Sequence, residues 1–335
     1  MNSTEPESVR AAWITWERQR RNEGIAHALG VPLYELNIPG GRLRRYAILL
    51  PRTARILRDV RPQVLFVQNP SIVLGLGAVV WGRLTGVPVF VDAHNAGLDP
   101  RASPRAVLRG IAALITRLAR YTIVSNGNLS PMVESYGGRP FVLPDCIPQL
   151  PAGNPPASGS GLRVLFICSY ADDEPFEDVI RAARELGPEV TVWVTGNPKD
   201  RRERLEAMAP PNVVLTGFLS EADFVGLIRA ADVIMDLTTR EDCLVCGAYE
   251  GIAAGKALVL SDTAATRAYF SQGVVYTRND VEGIVASLRQ ALAARQQLAA
   301  DAVALRERLQ REWDARRTEL LGLMRKLARR NGDAS

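Results

Sequence analysis

Short apolar runs alternate with longer segments of helical periodicity along the whole chain. Runs such as Val64–Gln68 and Val190–Thr195 consist almost entirely of Val, Leu, Phe, Trp and Thr, without the polar alternation of a half-exposed strand. Continuous apolar strands are typical of sheets that are covered on both faces. Because these strands alternate with helices, the pattern predicts an α/β fold with parallel, doubly wound sheets.

The same pattern predicts six strands in each half of the chain. In the first half they are Ala11–Trp16, Val31–Leu36, Val64–Gln68, Val87–Asp92, Tyr121–Ser125 and Pro140–Leu143. In the second half they are Arg163–Cys168, Val190–Thr195, Val213–Thr216, Val233–Asp236, Ala257–Leu260 and Gly273–Tyr276. Helices are predicted at Arg42–Asp59, Ser71–Leu84, Pro104–Arg120, Asn128–Tyr136, Glu174–Leu186, Arg201–Met208, Glu221–Ala230, Gly247–Ala254 and Val281–Ala294.

A segment rich in Pro and Gly separates the two halves. Pro151–Gly161 reads PAGNPPASGSG, a composition typical of linkers. We therefore predict a first domain over residues 1–150 and a second over residues 151–314, with a cleft between them. A helix at about 315–335 is expected to pack back on the first domain. Ligands of open α/β sheets bind beyond the carboxyl ends of the strands, so the candidate chemistry is sought there.

Charge is distributed unevenly along the chain. The first 150 residues contain 18 arginines, no lysine and 10 acidic residues, although the net charge of the whole chain is only +5. A basic half favours phosphate-bearing partners, among them nucleic acid, anionic lipid and phosphorylated substrates, although a solvated basic surface is the simpler explanation. Aromatic residues make up only 6% of the chain, which argues against nucleic acid as a partner.

Cysteine content and hydropathy predict the compartment. Four cysteines in 335 residues indicate a reducing environment, and no apolar run reaches the roughly 18–20 residues of a membrane span. The N-terminal region lacks the pattern of a secretory signal, so we expect a cytoplasmic protein. Cys243 and Cys246 have the spacing of a metal or redox motif, but no second pair accompanies them, and no metal site is expected.

The segment Asn212–Asp262 carries the most informative pattern in the sequence. Its elements, in order, are Gly217-Phe218-Leu219-Ser220, Ala231-Asp232-Val233, an acid-x7-Glu spacing from Asp242 to Glu250, and Ala254-Gly255-Lys256-Ala257-Leu258-Val259 leading to Ser261-Asp262. This order resembles the donor-binding domain of nucleotide-sugar glycosyltransferases of the GT-B fold, and it is most similar to family 4. The resemblance implies two Rossmann-like domains facing a central cleft, a UDP- or GDP-sugar donor, no cofactor, and hexosyl transfer without a metal ion.

Asp242 and Glu250 are the acids of that spacing. Asp242 lies in the loop after the strand Val233–Asp236, and Glu250 lies a few residues into the helix that starts near Cys246 and Gly247. Helix N-termini attract anions through unpaired amides, so a nucleotide diphosphate can sit there, with close approach allowed by Gly247. Glu250 is then expected to accept hydrogen bonds from the ribose, and Asp242 from the transferred sugar. The plainer interpretation is that both acids are solvated residues at a helix start.

Two departures from family 4 concern this region. The family usually has Glu where this chain has Asp242, so Glu241 is an alternative for that role. The family also has an Arg and a Lys after the first strand of this domain, whereas this chain has Ser169-Tyr170-Ala171-Asp172-Asp173-Glu174-Pro175-Phe176, which looks like the dolichyl-diphosphate-chitobiose mannosyltransferases of family 33. Likeness to family 4 implies retention of the anomeric configuration, and likeness to family 33 implies inversion.

The remaining donor contacts are predicted from the other strand ends. Thr195-Gly196-Asn197 resembles the family's glycine loop facing the nucleotide, and Phe218-Leu219 lies where family members contact the base. Ser169 can donate a hydrogen bond to phosphate, while the phosphate charge requires a cation from elsewhere. The full predicted donor-binding set is Glu250, Glu241, Cys246, Gly247, Ser169, Thr195, Gly196, Asn197, Phe218, Leu219 and Arg240, and further candidates for phosphate or acceptor binding are Arg18, Arg20, Asn95 and Lys199.

The best candidate in the first half is His94, one of only two histidines. It follows the strand Val87–Asp92. Both families place a His or His-Asn after the corresponding strand, and Asp92-Ala93-His94-Asn95-Ala96-Gly97 is similar to the order found in family 33. A histidine in the cleft can hydrogen-bond the donor sugar or stabilise the charge that develops at the anomeric carbon. We therefore predict His94 and Asp242 as catalytic residues. A loop histidine that caps a turn is the alternative.

Arg42–Arg61 is a basic amphipathic segment that reads RLRRYAILLPRTARILRDVR. Such a segment can lie on an anionic membrane surface, or it can pack one face on the first sheet and leave the other wet. Together these observations favour a glycosyltransferase acting on a lipid-linked or cell-surface polysaccharide intermediate, peripheral at the inner membrane face. A catalytically silent GT-B scaffold protein and a nucleotide-sugar epimerase on the same fold are the alternatives.

Overall fold

The computed structural model describes residues 9–69, 71–93, 95–99, 105–156 and 161–332. The chain divides into two compact units. Unit 1 comprises residues 1–146 together with 312–335, and unit 2 comprises residues 147–311. Each unit contains one six-stranded sheet in which every pair of neighbouring strands is parallel. The predicted class of two doubly wound, Rossmann-like domains is therefore confirmed.

Strands and helices alternate along unit 1, as parallel sheets require. Its strands are β1 (Ala11–Thr15), β2 (Leu33–Glu35), β3 (Val64–Asn69), β4 (Val89–Ala93), β5 (Tyr121–Val124) and β6 (Pro140–Val142). Its helices are α1 (Arg20–Leu29), α2 (Arg42–Val60), α3 (Ile72–Thr85), α4 (Asn95–Leu98), α5 (Arg105–Leu118) and α6 (Ser130–Ser135). The strand order is β2-β1-β3-β4-β5-β6.

Unit 2 repeats this architecture. Its strands are β7 (Leu162–Phe166), β8 (Val190–Thr195), β9 (Val213–Gly217), β10 (Val233–Asp236), β11 (Ala257–Ser261) and β12 (Val274–Thr277), in the order β12-β11-β10-β7-β8-β9. Its helices are α7 (Phe176–Arg184), α8 (Arg202–Met208), α9 (Glu221–Ala230), α10 (Cys246–Ala253), α11 (Ala264–Tyr269) and α12 (Val281–Ala293). The last helix, α13 (Arg295–Gly332), begins in unit 2, and its residues from 312 onward belong to unit 1.

Both faces of each sheet are covered, as the continuous apolar strands predict. In unit 1, Trp13, Phe66 and Phe90 stack on one face, with ring centroids 5.0 and 4.8 Å apart, and they belong to the same cluster as Leu320 and Met324 of α13. In unit 2, side chains of β7 alternate between a cluster with α7 and α12 and a second cluster with α9 and α10. Central strands such as β3 and β11 are therefore fixed in register by burial on both sides, whereas the edge strands β2 and β9 are only partly buried.

Several elements differ from the sequence prediction in their bounds or by their presence. Helix α7 begins at Phe176 rather than at Glu174, and α11 is an additional short helix whose N-cap Thr263 accepts a hydrogen bond from the Thr266 amide. The first part of the predicted linker packs within unit 2, since the Asn154 amide donates to the Ala222 carbonyl at 2.9 Å. No helix in the described part of the chain is long and apolar enough to span a bilayer.

Candidate active site

The candidate site of unit 2 lies where β7 and β10 end side by side. β7 is the first strand of its sheet, and the chain continues to β8 on one side and returns to β10 on the other. The Ile167 amide donates to the Met235 carbonyl at 2.9 Å, so the loops after the two strands start next to each other. Such a reversal of strand order is where open α/β sheets bind ligands.

The loop after β7 is organised around the Glu174 carboxylate. It accepts hydrogen bonds from the Ser169 amide at 2.9 Å, the Ser169 hydroxyl at 2.8 Å and the Ala171 amide at 2.9 Å. The Cys168 thiol lies 3.3 Å from it. The Ser169 hydroxyl, which the sequence analysis assigns to a phosphate, therefore has an internal carboxylate as its partner. Glu174 is also not a cap of α7, because the N-cap is Pro175 and it makes no side-chain bond.

The start of α10 is organised around a second carboxylate, Asp236. Its Oδ2 accepts a hydrogen bond from the Gly247 amide at 2.7 Å. A Cβ at Gly247 would lie 2.6 Å from that oxygen, so only glycine allows this approach. The glycine thus serves contact with Asp236, whereas the sequence analysis assigns it to a diphosphate. Burial raises the pKa of Asp236 well above its ordinary value, against the Gly247 bond and with help from the charges of Glu174 and Glu250.

Glu250 lies on the second turn of α10 and is 7% exposed. Its charge helps to raise the pKa of Asp236, so the two carboxyl groups lie close enough to interact. Glu174 and Asp173 act on the same group. The junction of β7 and β10 therefore gathers four carboxyl groups, and their mutual repulsion favours the protonated form of Asp236.

Asp173 joins the two loops through three contacts. Its carboxylate accepts from the Thr238 hydroxyl at 2.7 Å and from the Arg240 guanidinium at 2.9 Å. Its carbonyl accepts from the Thr239 amide at 2.8 Å. The Arg240 side chain remains 37% exposed, and its buried Nε has no hydrogen-bond partner in the described part of the chain. Arg240 is thus a fixed cation at the strand junction.

The loop after β8 reaches the same place. The Cys168 amide donates to the Thr195 hydroxyl at 3.1 Å. Gly196 has φ +89°, and a Cβ there would lie 2.2 Å from the Cys168 carbonyl oxygen. Asn197 accepts from the Lys199 amide at 3.0 Å, and both side chains are exposed. Thr195 and Gly196 therefore belong to the junction, while Asn197 and Lys199 lie at its exposed edge.

Other predicted donor contacts lie further out. Phe218 is 88% exposed at the end of β9, and Leu219 packs against the core beneath α9. Glu241 and Cys246 are exposed, and Asp242 is half-buried in the segment between β10 and α10. No group of three or more His, Cys, Asp or Glu is arranged to hold a metal ion within the described ranges.

Unit 1 contains a buried ion pair that was not predicted from the sequence. Arg21 is 7% exposed, and its guanidinium donates to both oxygens of Asp92 at 2.9–3.1 Å, to Asp145 and to the Leu143 carbonyl. Burial opposes the charge, but Asp92 and Asp145 outweigh it and raise the pKa of Arg21. The neighbours Arg18 and Arg20 are exposed, and Arg18 pairs with Glu23.

The predicted catalytic residue His94 lies outside the described residues, directly after β4. Asn95 is half-buried at the start of α4. Within the described ranges, polar side-chain atoms of Asn22, Gln68 and Asn69 are buried without a hydrogen-bond partner. Buried polar groups without a partner need an explanation, and a polar site is one. In the sequence, only the positions of these amides next to strand and helix ends could have indicated such a site.

Comparison with known families assigns the chain to a class. The profile of the glycosyl transferase 4-like domain matches residues 7–142, and that of glycosyl transferases group 1 matches residues 161–294. The two matches fall on the two sheets and together span most of the chain. The first half of the chain therefore matches a glycosyl transferase 4-like domain and the second half a group 1 glycosyl transferase domain, in agreement with the resemblance seen in Asn212–Asp262.

Solved structures share this fold at low identity. Sucrose-phosphate synthase from Thermosynechococcus elongatus is 14% identical, with a TM-score of 0.76, over 95% of this chain and 98% of that one. The Anabaena protein HepE, in complex with UDP and glucose, is 14% identical, with a TM-score of 0.67, over 89% and 87% of the two chains. A candidate UDP-N-acetylglucosamine 2-epimerase from Listeria monocytogenes is 13% identical, with a TM-score of 0.60, over 89% and 91%. No curated protein matches the sequence. At these identities the likeness shows the fold alone.

Proposed function

We propose that the protein transfers a hexose from a nucleotide diphosphate sugar to a hydroxyl acceptor, and that unit 2 binds the donor at the junction of β7 and β10. The observation that carries the proposal is the convergence of Arg240, Asp236, Gly247 and Glu250 at the strand reversal of a group 1 glycosyltransferase domain. HepE binds UDP and glucose on the same fold, which makes a UDP-sugar the first donor to test.

In this proposal Arg240 supplies the charge for the donor diphosphate. The amides that would otherwise face an anion are taken, since Ser169 and Ala171 hold Glu174 and Gly247 holds Asp236. Arg240 has a fixed orientation through Asp173 and keeps an exposed part. Guanidinium groups bind phosphate through paired N–H donors, so a single oriented arginine can contact both phosphates. Glu250 accepts hydrogen bonds from the ribose hydroxyls, and Asp242 or Glu241 contacts the transferred sugar.

The Glu250→Gln variant tests the donor site. We expect UDP to bind at least tenfold more weakly, because the amide keeps the size of the side chain but loses the charge that strengthens hydrogen bonds from hydroxyl groups. Isothermal titration with UDP measures the effect, after a thermal-shift screen of nucleotide sugars has identified the donor. A donor at about 100 times its Kd adds roughly 2.7 kcal/mol to the stability of the protein.

The matched control is Glu282→Gln, an exposed acid in the first turn of α12 that lies outside the junction. It removes the same charge and should leave UDP binding unchanged. Both variants should unfold at the temperature of the wild type. If Glu250→Gln binds UDP as the wild type does, Glu250 has no part in the donor site.

The acceptor and the stereochemistry belong to the same proposal. We propose a lipid-linked or cell-surface polysaccharide intermediate as acceptor, and transfer without a metal ion, so activity should persist in EDTA. The stretch from Ser169 to Phe176 is similar to family 33 and favours inversion, whereas Asn212–Asp262 is similar to family 4 and favours retention. The anomeric configuration of the product, read by NMR, decides between them.

The epimerase alternative has a direct test, and the fold of the Listeria monocytogenes relative motivates it. An epimerase converts UDP-N-acetylglucosamine to a second UDP-sugar without releasing UDP. A glycosyltransferase without its acceptor releases UDP slowly by hydrolysis. Absence of both reactions, together with UDP binding, favours the catalytically silent protein.

Helix α2 is the proposed membrane contact, at the cytoplasmic face. Leu49 is its only buried side chain, and Leu43 is 88% exposed beside Arg42, Arg44 and Arg45. Each basic residue near an anionic surface contributes about 1 kcal/mol. Reversing the charges of Arg42, Arg44 and Arg52 should abolish sedimentation with phosphatidylglycerol vesicles and leave UDP binding intact. Equal sedimentation of the variant and the wild type would make α2 an ordinary solvated helix.

A further inference from the structure

A cavity lies in unit 1, at the edge of the sheet where the strands begin. It has a volume of about 580 Å³ and opens beside the residues that lead into β4, β5 and β6. Its apolar lining includes Val79, Val89, Leu118 and Leu327. The volume is within the roughly 300–1,000 Å³ that small-molecule sites usually have. Asp92 lies at the opposite, carboxyl end of β4, so this cavity is separate from the buried ion pair described above.

Five arginines line the cavity, and no acidic residue does. They are Arg83, Arg117, Arg120, Arg139 and Arg330. None of the five forms an ion pair with an acid in the described part of the chain. Elsewhere in unit 1, arginines do pair with an acid, as Arg105 and Arg109 of α5 do with Asp99. Five like charges around one cavity repel each other unless an anion joins them.

Helix ends account for only part of this cluster. Arg83 and Arg117 lie in the last turns of α3 and α5, and Arg330 lies in the last turn of α13, where cations are favourable. Each of the three helix C-termini contributes a partial charge of about −0.5. The five guanidinium groups therefore leave an excess of more than three positive charges at the cavity. Arg120 and Arg139 lie outside any helix, directly before β5 and β6. Capping therefore does not explain why all five face the same space.

Not every N–H donor of these arginine side chains has a hydrogen-bond partner in the described part of the chain. Arg83 donates through Nε to the Leu118 carbonyl at 3.2 Å, which orients its guanidinium at the rim. The Nε of Arg120 is buried and has no partner within the described ranges. A buried N–H without a partner is unfavourable, so a bound acceptor at this position is favourable.

We propose that this cavity binds a ligand that carries a diphosphate or two neighbouring phosphate groups. Arginine forks match phosphate oxygens in pairs, and each terminal phosphate group carries a charge of about −1.5 to −2 at neutral pH. Two phosphate groups therefore nearly balance the excess positive charge of the cavity. The phosphate can belong to a soluble metabolite or to a lipid headgroup, and the chemistry of recognition is the same. The site is independent of the proposed donor site, because it lies in the other unit.

The test uses the full-length protein and the double variant Arg117→Ala/Arg139→Ala, whose side chains are exposed at the rim. The control is Arg325→Ala/Lys326→Ala, which removes the same charge from exposed positions on α13 outside the cavity. Titration with inorganic pyrophosphate is run with excess UDP present, so that the proposed donor site is occupied. Sedimentation is run with vesicles of phosphatidylcholine and phosphatidylglycerol in equal parts.

We expect the cavity variant, and not the control, to bind one of these probes at least tenfold more weakly than the wild type. Loss of pyrophosphate binding identifies a soluble ligand, and loss of vesicle binding alone identifies a headgroup. Without ligand, the cavity variant should melt at the same temperature as the wild type or higher, because like-charge repulsion is reduced. A lower melting temperature with unchanged binding of both probes would show that the arginines only cap helices and would overturn the proposal.

Discussion

Replacing Asp92 with asparagine is expected to destabilise unit 1 by about 3–5 kcal/mol, the usual cost of breaking a buried ion pair from one side. Arg21 loses the charge that accepts three of its N–H···O contacts, while its guanidinium stays buried. Asp145 remains, but it is 25% exposed and reaches the guanidinium from one edge only. The uncompensated charge, rather than lost packing, dominates the effect, because asparagine has nearly the same shape.

Urea unfolding followed by tryptophan fluorescence measures this change in unit 1. Four of the five tryptophans, Trp13, Trp16, Trp81 and Trp313, belong to that unit, so the signal reports mainly on it. Asp99→Asn is the matched control, since it also removes an acid paired with arginines, but Asp99 is half-buried and its two arginines are exposed. Exposed pairs contribute roughly 0–1 kcal/mol. If Asp92→Asn costs no more than Asp99→Asn, the buried pair does not hold this sheet edge together.

This ion pair also illustrates where sequence reasoning fails. Arg21 stands among exposed arginines, and its partner is 71 residues away, so local pattern gives no sign that it is buried. The central strands, by contrast, can be predicted from the sequence, because runs of apolar residues there are buried on both faces of the sheet. Val190–Thr195 and Val233–Asp236 are strands with the predicted bounds, and Glu221–Ala230 is a helix with the predicted bounds, where Ser220 accepts from the Asp223 amide as its N-cap.

The candidate donor site is likewise only partly predictable from the sequence. The acid-x7-Glu spacing correctly places Glu250 on the helix after β10, because that spacing is local. The sequence analysis takes Asp236 as an ordinary strand residue and Glu174 as a helix start, yet both carboxylates hold backbone amides in neighbouring loops. An acid near a helix start can be solvated or can hold backbone amides, and the local sequence does not distinguish the two. Only the parallel pairing of β7 with β10 brings these loops together. Only the folded structure shows which backbone amides at this edge of the sheet already hold a carboxylate.

Replacing His94 with alanine is expected to lower the turnover of the donor by about 10²–10⁴-fold, the range in which a positioned acid, base or hydrogen-bonding side chain contributes. His94 itself lies outside the described residues, but the chain on both sides of it is held firmly. Asp92 is fixed by Arg21, two residues before it. Gly97, three residues after it, accepts from the buried Asn69 amide at 3.0 Å, and a Cβ at Gly97 would lie 2.8 Å from the Asn69 carbonyl oxygen.

A group that acts at a reacting atom must be positioned accurately, and the described residues before and after His94 are themselves fixed by hydrogen bonds. The assay is UDP release from the identified UDP-sugar, with UDP affinity measured separately, and turnover should fall while affinity in unit 2 stays the same. His27→Ala is the matched control, since it replaces the other histidine at an exposed position on α1. An exposed loop histidine costs less than about 0.5 kcal/mol of stability on removal. Near-normal turnover in His94→Ala, or activity lost only together with the fold, would remove His94 from the chemical step.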